Sequence, residues 1–212
     1  MRSYHQYCAV AKALDVVGDR WTLLIVRELM LRGASRYTDL RRDLPGIATN
    51  LLAERLRELE RAGVIVREDA PPPVATALFS LTDRGRALEP VLDALGLWGV
   101  EAMAQGPQAG DEFRSHWLAW PTEKFLRDAD PDGPPLTIEL DTGEQPMLAV
   151  LAGGRVAVQP GRDDGADVHI SGEPYPVLGL LTGNLDIAQA RAAGVSVEGA
   201  ESALARLHPA AA

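Results

Sequence analysis

Apolar side chains in the first hundred residues recur at the three-to-four spacing of helices buried along one face. In the second half they gather instead in short runs broken by Gly, Pro and Asp. Residues 9–17 form a short amphipathic segment that Gly18 ends, and Asp19 is placed to cap the next helix. Over residues 21–31, Trp21, Leu24, Ile25, Leu29 and Met30 mark a buried stripe. Tyr37, Leu40 and Leu44 share one side of a third, short helix that Pro45-Gly46 stops. Residues 48–62 carry Leu52, Leu56 and Leu59 at i, i+4 and i+7, with Gly63 as the stop, and this predicts a longer amphipathic helix. A short helix, a turn containing Gly and a longer helix make a helix-turn-helix pattern. Strand-like runs at 64–67 and 78–81 flank a loop over 70–76 and predict a β-hairpin wing. Thr82 caps a further helix with the apolar stripe Leu88, Val91, Leu92, Leu95 and Trp98, which Pro90 is expected to kink or split.

Residues 113–127 have helical character, with Pro121 expected to break or restart the helix. Four strand-like runs follow at 136–140, 147–151, 155–159 and 166–170. Helices over 174–181 and 187–193, a strand over 195–198 and a short helix over 202–207 complete the chain. The stretch 105–111 lacks apolar periodicity and is rich in turn formers, so the domain boundary is expected there. The fold class expected is α+β: a winged helix-turn-helix domain over 1–105, then an α+β domain over 111–208 with a mostly antiparallel sheet.

Composition adjusts this picture in three ways. The net charge of −9 argues at first against a nucleic-acid partner, yet it belongs wholly to the second half. Residues 1–105 hold 14 basic and 14 acidic side chains, whereas 106–212 hold 7 and 16. No apolar run approaches the ~20 residues of a membrane span, the best candidate being interrupted by Arg27 and Glu28. With no secretory pattern at the start, no membrane partner and a cytoplasmic location are expected. Cys8 is the sole cysteine, so no intramolecular disulfide forms and one thiol is left to explain; a reactive thiol needs exposure and a lowered pKa, and a quiet one needs neither. His5, His116, His169 and His208 lack metal-ligand spacing, and no nucleophile, phosphate-loop or dinucleotide motif is present, so neither catalysis nor a cofactor is expected.

Geometry alone separates the faces of the 48–62 helix. If its leucines face the core, Asn50, Glu54, Arg57 and Arg61 fall opposite at about 100° per residue, as a solvated face or a DNA surface. Thr49 and Asn50 lie in the first turn, where recognition helices meet base edges, and Asn pairs bidentately with adenine. Arg36, Arg41 and Arg42 around the preceding helix are placed for phosphates, while Arg55 suits an ion pair or a phosphate equally. The wing residues 70–80 contain no Lys or Arg.

Tyr7-Cys8-Ala9-Val10-Ala11, Gly18-Asp19-Arg20-Trp21-Thr22-Leu23-Leu24, Leu44-Pro45-Gly46-Ile47, Leu52-Ala53-Glu54-Arg55-Leu56 and Leu81-Thr82-Asp83-Arg84-Gly85 together resemble the HxlR family of bacterial winged-helix regulators. The resemblance covers about the first hundred residues. It implies a homodimer joined by the first and last helices of the domain, each motif reading one half-site of an inverted repeat in double-stranded DNA. It also suggests a redox role for Cys8, whose place matches the cysteine of some relatives. Ala166-Asp167-Val168-His169-Ile170-Ser171-Gly172, Leu180-Leu181-Thr182-Gly183-Asn184-Leu185-Asp186 and Val197-Glu198-Gly199 are similar to the sterol-carrier-protein fold. That similarity implies a tunnel for a hydrophobic small molecule, with Trp117, Trp120, Phe125, Leu178 and Leu181 as candidate lining; such aromatics otherwise fill a core. The expected function is a DNA-binding transcriptional regulator modulated by that molecule. The alternative is a lipid or metabolite carrier whose winged domain serves dimerisation or protein contact.

Overall fold

The computed structural model describes residues 3–71, 76–103 and 106–209. The chain divides into two compact units, Met1–Gln105 and Gly106–Ala212. In the first, α1 (Ala9–Val17) and α2 (Thr22–Arg32) precede a two-residue strand β1 (Ser35–Arg36), then α3 (Tyr37–Asp43) and α4 (Thr49–Arg61). The wing strands β2 (Ile65–Asp69) and β3 (Ala77–Leu81) follow, then α5 (Asp83–Arg86) and α6 (Glu89–Gly99). Both pairings of the β1-β3-β2 sheet are antiparallel. β1 escapes sequence patterning because two residues show no period.

Ile25, Leu29, Leu40, Leu44, Leu52, Leu59 and Ile65 are fully buried together and form the centre of this unit. Each such side chain contributes about 1.5–3 kcal/mol by leaving water. Gly46 supplies a φ of +82° in the turn between α3 and α4, a conformation that costs a side-chain-bearing residue more than Gly. Tyr37 Oη donates to the Thr49 carbonyl at 2.8 Å and fixes the start of α4. The Arg32 guanidinium meets the buried Asp43 carboxylate at 2.6 Å, tying the end of α2 to α3. Behind the wing, Thr82 caps α5: its hydroxyl accepts from the Gly85 N–H at 3.1 Å and donates to the Gly63 carbonyl at 2.7 Å. Gly85 is required by proximity, since a Cβ there would stand 2.2 Å from the Val64 carbonyl oxygen.

Pro90 splits the last helix as expected. α5 ends at Arg86, and α6 restarts with Pro90 in its first turn, where its missing N–H has no intrahelical role. The stripe on this helix is only partly used, however: Leu88 and Leu92 pack on the core, while Val91, Leu95 and Trp98 are exposed. The Ala70 N–H bonds the Thr76 carbonyl at 2.9 Å across the mouth of the wing loop. Residues 72–75 of that expected loop lie outside the described residues, as does residue 105 of the expected linker.

In the second unit a 3-10 helix (Ser115–Leu118) leads into α7 (Ala119–Phe125) and β4 (Leu126–Asp128). Strands β5 (Leu136–Asp141), β6 (Met147–Ala152), β7 (Arg155–Pro160) and β8 (Val168–Ser171) come next. Then come α8 (Pro174–Leu181), α9 (Ile187–Ala192), β9 (Ser196–Gly199), a 3-10 helix (Glu201–Arg206) and β10 (Leu207–Pro209). The five-stranded sheet has the order β7-β6-β5-β8-β9 and is antiparallel except between β5 and β8. Met147, Ala149 and Leu151 alternate inward along β6, the period of a sheet with one face on the core. β10 pairs antiparallel with β4 as a separate ribbon.

Pro121 takes the restart alternative: the 3-10 helix gives way to α7 with Pro121 as its third residue, where first-turn N–H groups lack intrahelical acceptors anyway. One expectation is corrected: the helical segment ends sooner than 127, since residues 126–128 are a strand, with Leu126 and Asp128 inward and Arg127 outward.

Candidate nucleic-acid interface

α4 presents two faces. Leu52, Leu56 and Leu59 are buried, and Asn50, Glu54, Arg57 and Arg61 are exposed on the other side, as the helical period requires; Thr49, the first residue of the helix, is exposed as well. Arg57 Nε donates to the Ala53 carbonyl at 3.1 Å and Arg61 Nε to the Arg57 carbonyl at 3.2 Å, so both guanidinium groups lie along the helix. Asn50 makes no hydrogen bond through its side-chain amide among the described residues.

The four other candidate arginines separate into two kinds. Arg36, the residue preceding α3, and Arg41 on α3 are exposed and make no ion pair among the described residues. Arg42 and Arg55 are held by carboxylates. Arg42 binds buried Asp43 through Nε at 2.9 Å and Nη2 at 3.2 Å, with Asp39 at 3.6 Å. Arg55 joins Asp19 at 2.7 Å and also pairs with Glu58, and its side chain is only 13% exposed. Its geometry is that of a brace between α4 and the segment before α2, which favours the ion-pair alternative over a phosphate contact. β2 supplies one more cation that the sequence argument passed over, exposed Arg67, 3.6 Å from Asp69.

Around α1 the protein surface is unusually apolar. Tyr4, Tyr7, Val10 and Leu14 are exposed, and Tyr7 is entirely so. The segment before α1 is tied back to the helix: Asp15 accepts from the Tyr4 N–H at 2.8 Å and from Ser3 Oγ at 3.0 Å, and meets Lys12 at 3.5 Å. These donors, the Tyr4 N–H foremost, hold the Asp15 carboxyl below the usual range. Cys8 stands at the N-cap of α1 with its thiol exposed. The N–H groups of Ala11 and then Val10 lower its pKa, since the first turn of a helix offers unpaired donors to a negative sulfur.

Of the five residues expected to line a ligand cavity in the second unit, Leu181 borders an open apolar groove of about 650 Å³ between the end of α8, the start of α9 and the segment 201–209. Leu178 packs half-buried against the core. Trp120 and Phe125 meet edge to face at 5.1 Å, and Trp117 meets Phe113 in the same way at 5.9 Å. These rings pack against one another, the geometry their quadrupoles favour, and do not border that groove. The sequence argument missed the 201–209 wall because its 3-10 helix and three-residue strand lack a readable period.

The comparisons with known proteins agree with the first unit. A family model described as HxlR-like helix-turn-helix matches residues 16–107. The uncharacterized HTH-type transcriptional regulator YvaP of Bacillus subtilis (strain 168) is 40% identical over 90 residues, which are 42% of this chain and 82% of the relative. The HTH-type transcriptional regulator YodB of the same organism is 31% identical over 100 residues, 47% of this chain and 88% of the relative. Among solved structures, the reduced form of YodB has 30% identity and a TM-score of 0.41, covering 48% of this chain and 100% of that one. With four fifths of YvaP matched at 40% identity, and the family model matching residues 16–107, the chain belongs to the HxlR-like helix-turn-helix family.

Proposed function

We propose that this protein is a DNA-binding transcriptional regulator that grips an inverted-repeat operator as a homodimer, and that its second unit takes up a hydrophobic small molecule which alters DNA affinity. The observation that carries the DNA part is the free outer face of α4. Thr49 and Asn50 stand exposed in its first turn, and Arg36 and Arg41 stand exposed around α3 to reach phosphates. Arg42, with its side chain 59% exposed, serves the same surface while anchored by Asp43, and Arg55 serves as the brace. A first half of zero net charge is compatible with this role because Arg36 and Arg41 stand exposed without an ion pair among the described residues.

Dimerisation is supported by the apolar side chains that α1 and α6 leave exposed, since contiguous apolar surface on a soluble chain marks a contact. A two-fold dimer presents its recognition helices to two half-sites one DNA turn or a multiple apart. The resemblance of residues 166–172, 180–186 and 197–199 to sterol-carrier-protein segments, together with the apolar groove beside Leu181, supports the ligand part. The exposed, pKa-lowered thiol of Cys8 supports a redox input as well.

Footprinting on the promoter of the protein's own operon tests the DNA part, with a two-fold symmetric protected site expected. Asn50→Ala is expected to cost about 1–3 kcal/mol at one base position and relax specificity there. Arg41→Ala is expected to weaken binding to all sequences and to flatten the salt slope by about one unit. An asymmetric footprint, or affinity unchanged in both variants, overturns the assignment. A chain that binds the small molecule and no DNA would be a carrier instead.

A further inference from the structure

We infer that the groove in the second unit selects a cationic amphiphile, an apolar body bearing a protonated amine, over a fatty acid of the same length. This rests on the hydrophobic-ligand part of the proposed function and adds the charge of the ligand. The groove's volume of about 650 Å³ lies within the usual range of small-molecule sites. Its walls are apolar, with Leu181 on one side, Ile187 at the start of α9, and Leu204 and Leu207 on the other. The charged side chains on the lining are both carboxylates, Asp186 and Glu201.

Neither carboxylate is exhausted by its partners. Asp186 Oδ1 accepts from the Gln189 N–H at 2.8 Å as the cap of α9, and its second oxygen has no hydrogen bond among the described residues. Glu201 meets Arg191 at 2.6 Å and remains 41% exposed. Arg191 also donates to the Val197 carbonyl at 3.2 Å, is not among the lining residues, and so offers a bound carboxylate little. Residues 106–212 carry all of the −9 net charge, and such a field raises the local concentration of cations and lowers that of anions. An apolar tail therefore gains the same burial whatever its head, and the head group decides the selection: an ammonium meets Asp186 and the outer side of the Arg191-paired Glu201, whereas a carboxylate finds no cation on the lining.

The test titrates the full chain with dodecylamine, dodecanol and dodecanoate below their micellar concentrations, by displacement of a neutral environment-sensitive dye. Dodecylamine is expected to bind about tenfold or more tighter than dodecanoate, with dodecanol between and the gap closing as salt rises. The doubly substituted Asp186→Asn, Glu201→Gln chain is expected to shrink the gap to about threefold or less. Asn caps a helix as well as Asp, so α9 persists, which circular dichroism checks. Removing two charges of this excess leaves general attraction of cations nearly intact, so a persistent gap in that variant means adventitious binding and overturns the site. Leu204→Trp, which narrows the groove, is expected to weaken binding of all three probes; undiminished binding overturns the location. Equal or tighter binding of dodecanoate overturns the charge selection while leaving the hydrophobic-ligand part standing. Failure of every probe sinks both, and footprinting judges the DNA part separately.

Discussion

Cys8 shows how far a single residue is settled by its neighbours. The sequence could name it as the sole thiol but could not show its exposure or its pKa, because both depend on the N-cap position that only the folded α1 defines. The exposed sulfur faces the first-turn N–H groups of Ala11 and Val10, which favour the thiolate and lower the pKa. The rate of alkylation by iodoacetamide against pH is therefore expected to reach half its maximum below the ~8.5 of an ordinary cysteine. A midpoint at or above that value would remove the electrostatic ground for a sensing thiol. Arg55 is a similar case with the opposite outcome. Its spacing allowed either an ion pair or a phosphate, and Asp19, 36 residues away, favours the ion pair by a contact that no local pattern announces.

At the scale of elements, legibility followed periodicity. α4 and α8 carry apolar residues over two or more turns, and their expected bounds hold to within a residue. β1 and β10 are too short to show a period, and β10 exists because β4 lies beside it. What holds β10 there is a long-range clasp. Arg206 binds both oxygens of buried Asp128 at 2.9 Å, and also the carbonyls of Pro134 and Asp130 at 2.6 and 3.1 Å. The Arg206 hydrogen bonds are the chief reason that the Asp128 carboxyl sits below its usual range. Arg206→Ala leaves that carboxylate without its cation and is expected to lower the urea midpoint of the second unit. The sign with pH is fixed by the direction of the shift. A lowered folded pKa means the contribution is complete above the unfolded-chain value of about 3.9 and is lost as pH falls below it. The difference in urea midpoint between wild type and Arg206→Ala should accordingly be wide at pH 7 and narrow toward pH 3. An equal difference at both would assign the loss to packing and not to the ion pair.

For the whole molecule, the two halves differ in charge and in what they leave unburied. The acidic second half is repelled by phosphate, so DNA contact falls to the neutral first half, whose surplus is apolar. The stripe Val91, Leu95 and Trp98 on α6 has the i, i+4, i+7 spacing of a packed helix face, yet no α6 residue is buried in the single chain and Trp98 is 82% exposed. A stripe that is legible in sequence and unburied in one chain points to burial by a second chain. The full-length protein is therefore expected to sediment as a dimer at micromolar concentration. Leu95→Ser with Trp98→Ser should sediment as a monomer, without unfolding, because surface substitutions usually change stability by about 0.5 kcal/mol or less. Linked half-site contacts gain from effective concentration, so the monomer should lose about 10²-fold or more on a two-half-site operator. On DNA containing one half-site it should bind about as well as wild type. If the double variant stays dimeric, or loses affinity equally on both DNAs, the α6 stripe is not the joint and another surface, the apolar face of α1 first, must be tested in its place.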